Sequence, residues 1–204
     1  MAGRSEPLPM RPQGFWGRVF GRLMEAMNAP SYRLAFRLID AQAGASILEI
    51  GFGTGKLLEL LARKVKKARL AGVEPTETML ETALKRGALR RLKDRLDLRL
   101  GTADALPWDS GSFDAIAALH CFQFWADPQS AANEILRTLK PGGRFVLILR
   151  DHSKRAPKWL PNPISKSGNE FGNACRLLQE AGFESVRSAG GAGSSLAIVA
   201  TKAA

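Results

Sequence analysis

The stretch Ile47-Leu48-Glu49-Ile50-Gly51-Phe52-Gly53-Thr54-Gly55-Lys56 holds the densest concentration of residues suited to ligand chemistry: an apolar run carrying one carboxylate, then glycines at alternate positions. Without a Cβ, glycine lets the main chain approach a bound molecule closely, and a helix starting beyond it offers free N–H groups to a carboxylate or phosphate. Two nucleotide-binding motifs are excluded by spacing. A nucleoside triphosphate loop needs glycine at position 50 and Ser or Thr at 57, where Ile50 and Leu57 stand. A dinucleotide fingerprint needs its third glycine at position 56, which is Lys56. Chain reversal alone also uses glycine, so the turn by itself leaves a ligand loop and a plain turn both open.

Two more acids follow. Glu74, in Val73-Glu74-Pro75, lies roughly twenty residues past the glycine turn, where a carboxylate can accept hydrogen bonds from both hydroxyls of a ribose; it could equally cap a helix from Thr76. Asp104 sits in Gly101-Thr102-Ala103-Asp104-Ala105-Leu106-Pro107-Trp108, which also reads as an exposed turn. Phe113-Asp114-Ala115-Ile116 and Leu139-Lys140-Pro141-Gly142-Gly143-Arg144 complete the series. In this order the motifs resemble those of the class I S-adenosylmethionine-dependent methyltransferases with a Rossmann-like fold, and in particular the small "methyltransferase type 11" domain. The resemblance covers Ile47 to Leu149 well and the last strands loosely.

It implies S-adenosyl-L-methionine as cofactor. The turn Gly51, Phe52, Gly53 and Gly55 would pass under its methionine part, with Glu49 facing the amino group, commonly through water. Glu74, followed by Pro75, would hold the ribose. Asp104 would accept from the adenine amino group between Ala103 and Ala105, small enough for the ring to lie flat. Asp114 and the Pro-Gly-Gly segment read as structural.

The methyl group would point beyond the fourth strand, at Leu119-His120-Cys121-Phe122-Gln123-Phe124-Trp125. Transfer from a sulfonium is an in-line displacement, accelerated by positioning and exclusion of water. A neutral amine acceptor needs no base, whereas a hydroxyl gains from one. His120 is the candidate base or cofactor neighbour, against the plainer reading of a packing residue; Phe122 and Phe124, with Phe15 and Trp16 of the N-terminal segment, are candidate acceptor-pocket residues. The Asn/Asp-Pro-Pro-aromatic motif of enzymes that methylate nucleic-acid amino groups is missing from this position. A small-molecule or lipid acceptor is therefore expected. The alternatives are an RNA or protein methyltransferase using the basic surface, and a cofactor-binding scaffold without turnover.

The elements that must hold these residues show in the hydrophobic rhythm. Strand-like runs at 47–50, 69–73, 96–100, 113–119 and 144–149 alternate with helical patterns at 55–65, 76–91 and 129–139. Such alternation implies βαβ units and a parallel sheet with helices on both faces. A helix at 170–181 precedes two strands, 184–188 and 195–201, joined by Gly190-Gly191-Ala192-Gly193. That link suits a hairpin, so the expectation is a three-layer α/β sandwich whose seven-stranded sheet is mostly parallel with an antiparallel last strand. Apolar residues from Phe15 to Met27 recur at helical spacing with Arg18 and Arg22 opposite; Pro30 should end that helix and Ser31 cap the next. This helix would serve as a lid, or lie on a membrane surface.

With 204 residues, 45% of them apolar, the chain fits one domain: a flexible arm at 1–13, a helical lid at 14–43, the cofactor-binding core at 44–150, and a substrate loop with the last strands at 151–204. Two cysteines, Cys121 and Cys175, form no disulfide framework and no metal-ligand spacing. No apolar run approaches membrane-spanning length and the first residues lack a signal-peptide core, so a cytoplasmic location is expected. A net charge of +11 could attract nucleic acid or anionic lipid, but the cations are dispersed, largely at the polar ends of amphipathic helices.

Overall fold

The computed structural model describes residues 25–150 and 170–204. Their strands are β1 (Ser46–Ile50), β2 (Arg69–Glu74), β3 (Leu96–Leu100), β4 (Phe113–Leu119), β5 (Leu139–Arg150), β6 (Ser185–Ala192) and β7 (Ser195–Thr201). They form one sheet in the order β3-β2-β1-β4-β5-β7-β6. β1 to β5 run parallel, and β7 is antiparallel to both β5 and β6. This is the mostly parallel, doubly wound sheet with one antiparallel strand that the sequence predicts.

The helices are α1 (Ala29–Ile39), α2 (Lys56–Lys64), α3 (Glu77–Leu84), α4 (Gly87–Arg90), α5 (Pro128–Thr138) and α6 (Glu170–Glu180). Side chains alternate across a strand, so each strand feeds two cores. Ile47 joins Leu57, Leu58 and Leu61 of α2 and Leu34 of α1; Leu48 and Ile50 join Ile116, Ile135 of α5 and Leu178 of α6. Glu49 shares the parity of Ile47 and so faces the α1–α2 side. Strand order reverses at β1 and β4, and ligands of open α/β sheets bind beyond such a reversal.

Several boundaries differ from expectation. The helix predicted over 76–91 is split, because Arg86 is extended (φ −72°, ψ 120°) and spends its guanidinium on other elements. It donates to the Thr54 carbonyl, to Glu59 of α2 at 2.7 Å, and to Glu25. The helical stretch at 25–27 does stop at Asn28, ahead of Pro30, and Pro30 itself occupies the first turn of α1, where its missing N–H costs nothing. Ser31 is not a cap: Asn28 holds that position, and the Ser31 hydroxyl bonds to Ser195 at 2.8 Å. β5 begins at Leu139 rather than Arg144, since Leu139 already pairs with Phe113 ahead of a register shift. β6 runs through the glycine link to Ala192, also by a register shift. Among the described residues no helix is long and apolar enough to cross a membrane.

Asp114 is structural, accepting from the Ser46 N–H and from Lys140 Nζ, both at 2.8 Å, and so tying the start of β4 to β1 and β5. Gly72 of β2 has an equally local reason. A Cβ there would stand 2.5 Å from Phe52 Cδ1 and 2.8 Å from Leu98 Cδ2. Gly72→Ala should therefore lower stability by about 1–3 kcal/mol, the usual cost of overpacking. Urea denaturation reads this, and the double variant Gly72→Ala/Phe52→Leu should lose less than the sum of the two single changes.

Candidate active site at the strand tips

The glycine turn leaves β1 with Gly51, Gly53 and Gly55 all at positive φ (65°, 51° and 74°). The first two are held for different reasons. A Cβ on Gly51 would meet Cys121 Cβ at 2.8 Å, so packing against the segment after β4 excludes a side chain. A Cβ on Gly53 would meet nothing within 4 Å, so this residue borders open space in a backbone conformation that favours glycine. Phe52 turns inward, 4% exposed, so only its main chain is available to a ligand.

Two carboxyls flank the turn. Glu74 accepts from the Gly53 N–H at 3.0 Å and from the Thr76 N–H at 3.2 Å. One oxygen serves each bond, which leaves each a further lone pair for a hydroxyl donor. Burial raises the Glu74 pKa against the pull of those donors. Glu49 is 2% exposed, and its Oε2 is buried without a hydrogen-bond partner among the described residues. Burial pushes its pKa up to about 8; the Leu58 main chain opposes this, Glu74 adds to it and Arg86 opposes it. A buried acid with an unused oxygen is suited to a cation.

Asp104 lies one strand further along, half-exposed in the loop after β3, with Ala103 buried and Ala105 exposed. That loop is pinned from α5: Glu134 accepts from the Leu106 N–H at 2.9 Å, and Arg137 donates to the Leu106 and Trp108 carbonyls at 3.0 and 2.8 Å. Trp108 is held further by Asp97 (2.9 Å) and by the Arg99 guanidinium, 4.9 Å from its ring centre. The structure thus joins the glycine turn and Glu74 directly and puts Asp104 on the same edge of the sheet, without a hydrogen bond to either glutamate among the described residues. Pro75 is exposed beside Glu74.

At the tip of β4, His120 takes a left-handed conformation (φ 54°). Its Nε2 lies 3.1 Å from Ser31 Oγ and 3.4 Å from Ser195 Oγ, and its Nδ1 is buried without a partner among the described residues. Burial, then Arg150, push its pKa down to about 3, so the ring is neutral at pH 7. The Cys121 thiol donates to the Ile50 carbonyl at 3.3 Å, and burial pushes its pKa up to about 12. Phe122 is half-buried and packs edge-on to Trp125 with ring centres 5.1 Å apart, whereas Phe124 is 45% exposed. Phe15 and Trp16 lie outside the described residues. Sequence reasoning missed Ser31, Ser195, Arg86 and Tyr32; the Tyr32 phenol is held protonated by burial, with Glu49 and Glu25 adding to the effect.

Residues 48–147 match the family described as "Methyltransferase domain". The chain belongs to the class I S-adenosylmethionine-dependent methyltransferases. It is 26% identical to the uncharacterized methyltransferase YdaC of Bacillus subtilis over 169 residues, 82% of this chain and 87% of that protein. It is 31% identical to a demethylmenaquinone methyltransferase of Symbiobacterium thermophilum over 158 residues, 72% of this chain but only 63% of the relative. In fold it is similar to a putative S-adenosyl-L-methionine-dependent methyltransferase of Methanococcus maripaludis, with a TM-score of 0.77 and 23% identity over 99% of this chain and 98% of that one. When bound, the family's cofactor supplies an electrophilic methyl group on sulfonium sulfur. The residues present fit it: a cationic ammonium suits the unused Glu49 oxygen, and hydroxyl donors suit Glu74.

Glu49 has a consequence for stability. Its folded pKa of about 8 exceeds the ordinary 4.5, so between these values the folded chain keeps a proton that the unfolded chain has released. Stability of the ligand-free protein should fall as pH rises through that window. Denaturation midpoints from pH 5 to 8.5 should show this fall in the parent, and Glu49→Gln should flatten it while raising stability at pH 8.

Proposed function

We propose that this methyltransferase transfers the cofactor's methyl group to a small-molecule or lipid acceptor bound beyond the tips of β4 and β5. The observation that carries the cofactor arrangement is the buried Glu49 carboxyl with its unused oxygen, set beside the glycine turn and Glu74. In this reading Glu49 holds the amino group of the methionine part, and the main chain of Gly51, Phe52, Gly53 and Gly55 lies beneath it. Glu74 holds the ribose hydroxyls, next to Pro75, and Asp104 accepts from the adenine amino group, with Ala103 and Ala105 against the ring. The relative that is a demethylmenaquinone methyltransferase supports a small, lipid-like acceptor here.

The chain's own residues contribute by placement. The clamp from Glu134 and Arg137 fixes the Asp104 loop, and Arg86 fixes the Thr54 carbonyl at the crest of the glycine turn, so both halves of the cofactor cleft are set before ligand arrives. Holding reactants in line is where most of the acceleration of a displacement originates. His120 acts at the acceptor side through a hydrogen bond. An imidazole whose pKa is about 3 is too weak a base to take a proton from a hydroxyl at pH 7. α1 supplies Ser31 and Tyr32 to the site; residues 14–24 of the segment read as a lid lie outside the described residues.

Glu74 tests the arrangement. Isothermal titration should show one S-adenosylmethionine per chain. Glu74→Ala should weaken it roughly 10–100-fold, the worth of one or two hydrogen bonds to a charged acceptor. Glu74→Gln, which keeps an acceptor for the Gly53 N–H, should lie between. Unchanged affinity in a folded Glu74→Ala protein removes the ribose assignment.

A further inference from the structure

Arg150 ends β5 directly opposite Ser195 of β7. Directly opposed residues of an antiparallel pair project to the same face. Val146 and Ile148 of β5, and Ala197 and Val199 of β7, all belong to the core beneath α1 and α2, so Arg150 and Ser195 emerge on that face as well. The Ser195 hydroxyl meets Ser31 of α1 and His120 Nε2 there, and the His120 main-chain N–H donates to the Ile148 carbonyl at 2.8 Å. The ends of β4 and β5, the start of β7 and the first turn of α1 therefore converge on one spot.

Two groups at that spot have unused capacity. Arg150 is half-buried, and among the described residues no carboxylate or hydrogen-bond acceptor pairs with it; burial lowers its pKa. His120 Nδ1 is buried without a partner among the described residues. Each serine hydroxyl can accept from Nε2 or donate to it. A hydroxyl donating to Nε2 leaves the single proton of the neutral imidazole on Nδ1, which is then a donor. In that tautomer the imidazole N–H, the Arg150 guanidinium whose charge acts on the ring, and the positive start of α1 together suit an oxyanion.

We propose that Arg150 and His120 Nδ1, with Ser31 and Ser195 positioning the ring, form an acceptor-side subsite for an anionic oxygen, a carboxylate or phenolate carried by the methyl acceptor. This rests on the methyl-transfer reading above, and deepens it by naming the acceptor's charge. The subsite orients the acceptor rather than deprotonating it, which assigns the enzyme to molecules that carry their own negative oxygen near the methylated atom.

The test titrates the full chain, loaded with S-adenosylhomocysteine, with benzoate, 4-nitrophenolate at pH 8 and uncharged benzyl alcohol. At least one of the two anions should bind about 10–100-fold more tightly than the alcohol, the range for charge-assisted hydrogen bonds, and which one does so separates carboxylate from phenolate acceptors. Arg150→Gln should abolish that preference while changing affinity for S-adenosylhomocysteine less than about twofold, and Ser31→Ala should reduce it. Anions bound no better than benzyl alcohol, or a preference that survives Arg150→Gln, would overturn the proposal. So would an equal loss in Arg90→Gln, an exposed arginine elsewhere, since the effect would then be one of net charge. Repeating the titrations without S-adenosylhomocysteine separates this claim from the cofactor reading: anion preference with no S-adenosylhomocysteine binding supports the subsite and counts against the cofactor assignment alone.

Discussion

A carboxyl group held almost out of water, with one oxygen unpaired, is the feature around which this molecule is built. Removing Glu49 from solvent costs free energy that no neighbour fully repays, and the group responds by keeping its proton to about pH 8. Such a cost is tolerated only if the surroundings leave no easier arrangement. β1 is flanked on both sides by parallel strands and covered on both faces, so the side chain at position 49 has nowhere else to go. In the ligand-free protein the unused oxygen is thus a pre-arranged defect, one that a bound cation would relieve.

The glycine turn and the loop after β3 would be loose alone and are tied by charged side chains reaching in from neighbouring elements. Arg86 leaves the helical path to grip the glycine turn, and Glu134 with Arg137 grips the loop after β3. Each uses charge-assisted bonds to main-chain atoms, which fix backbone position without occupying the ligand's space. The glycines permit the turn, and these outer residues choose which of its permitted shapes is populated. The tip of β4 follows another principle, with neutral partners shared between Ser31, Ser195 and His120 and, among the described residues, no carboxylate paired with Arg150.

Legibility in the sequence followed the range of the interactions. Strand and helix alternation, the alternate glycines, Glu49, Glu74 and the Asp104 loop are all local signals, and the sheet and its antiparallel strand came through with boundary errors only. The errors have a common origin. Arg86 broke a helix that periodicity would have continued, because its partners lie in α2, the glycine turn and Glu25. Ser31 looked like a cap and became a buried partner of a residue 164 positions away. Arg150 and His120 come to the same edge of the sheet only because β4 and β5 are neighbours and β7 returns beside them. No local spacing encodes such convergence, which appears only once the topology is in hand.

The placing of β7 between β5 and β6 also shapes how the chain must reach this state. β5 is twelve residues long and mostly buried, and its outer edge is covered only by a strand that arrives after α6 and β6 have been made. Until then a long apolar edge stands open, a template for pairing with another chain. Pairings so distant along the chain form slowly, because much loop entropy must be lost first. The insertion that brings Ser195 to His120 therefore makes the half-folded protein the form most prone to self-association, and folding yield should depend on how promptly that last hairpin docks.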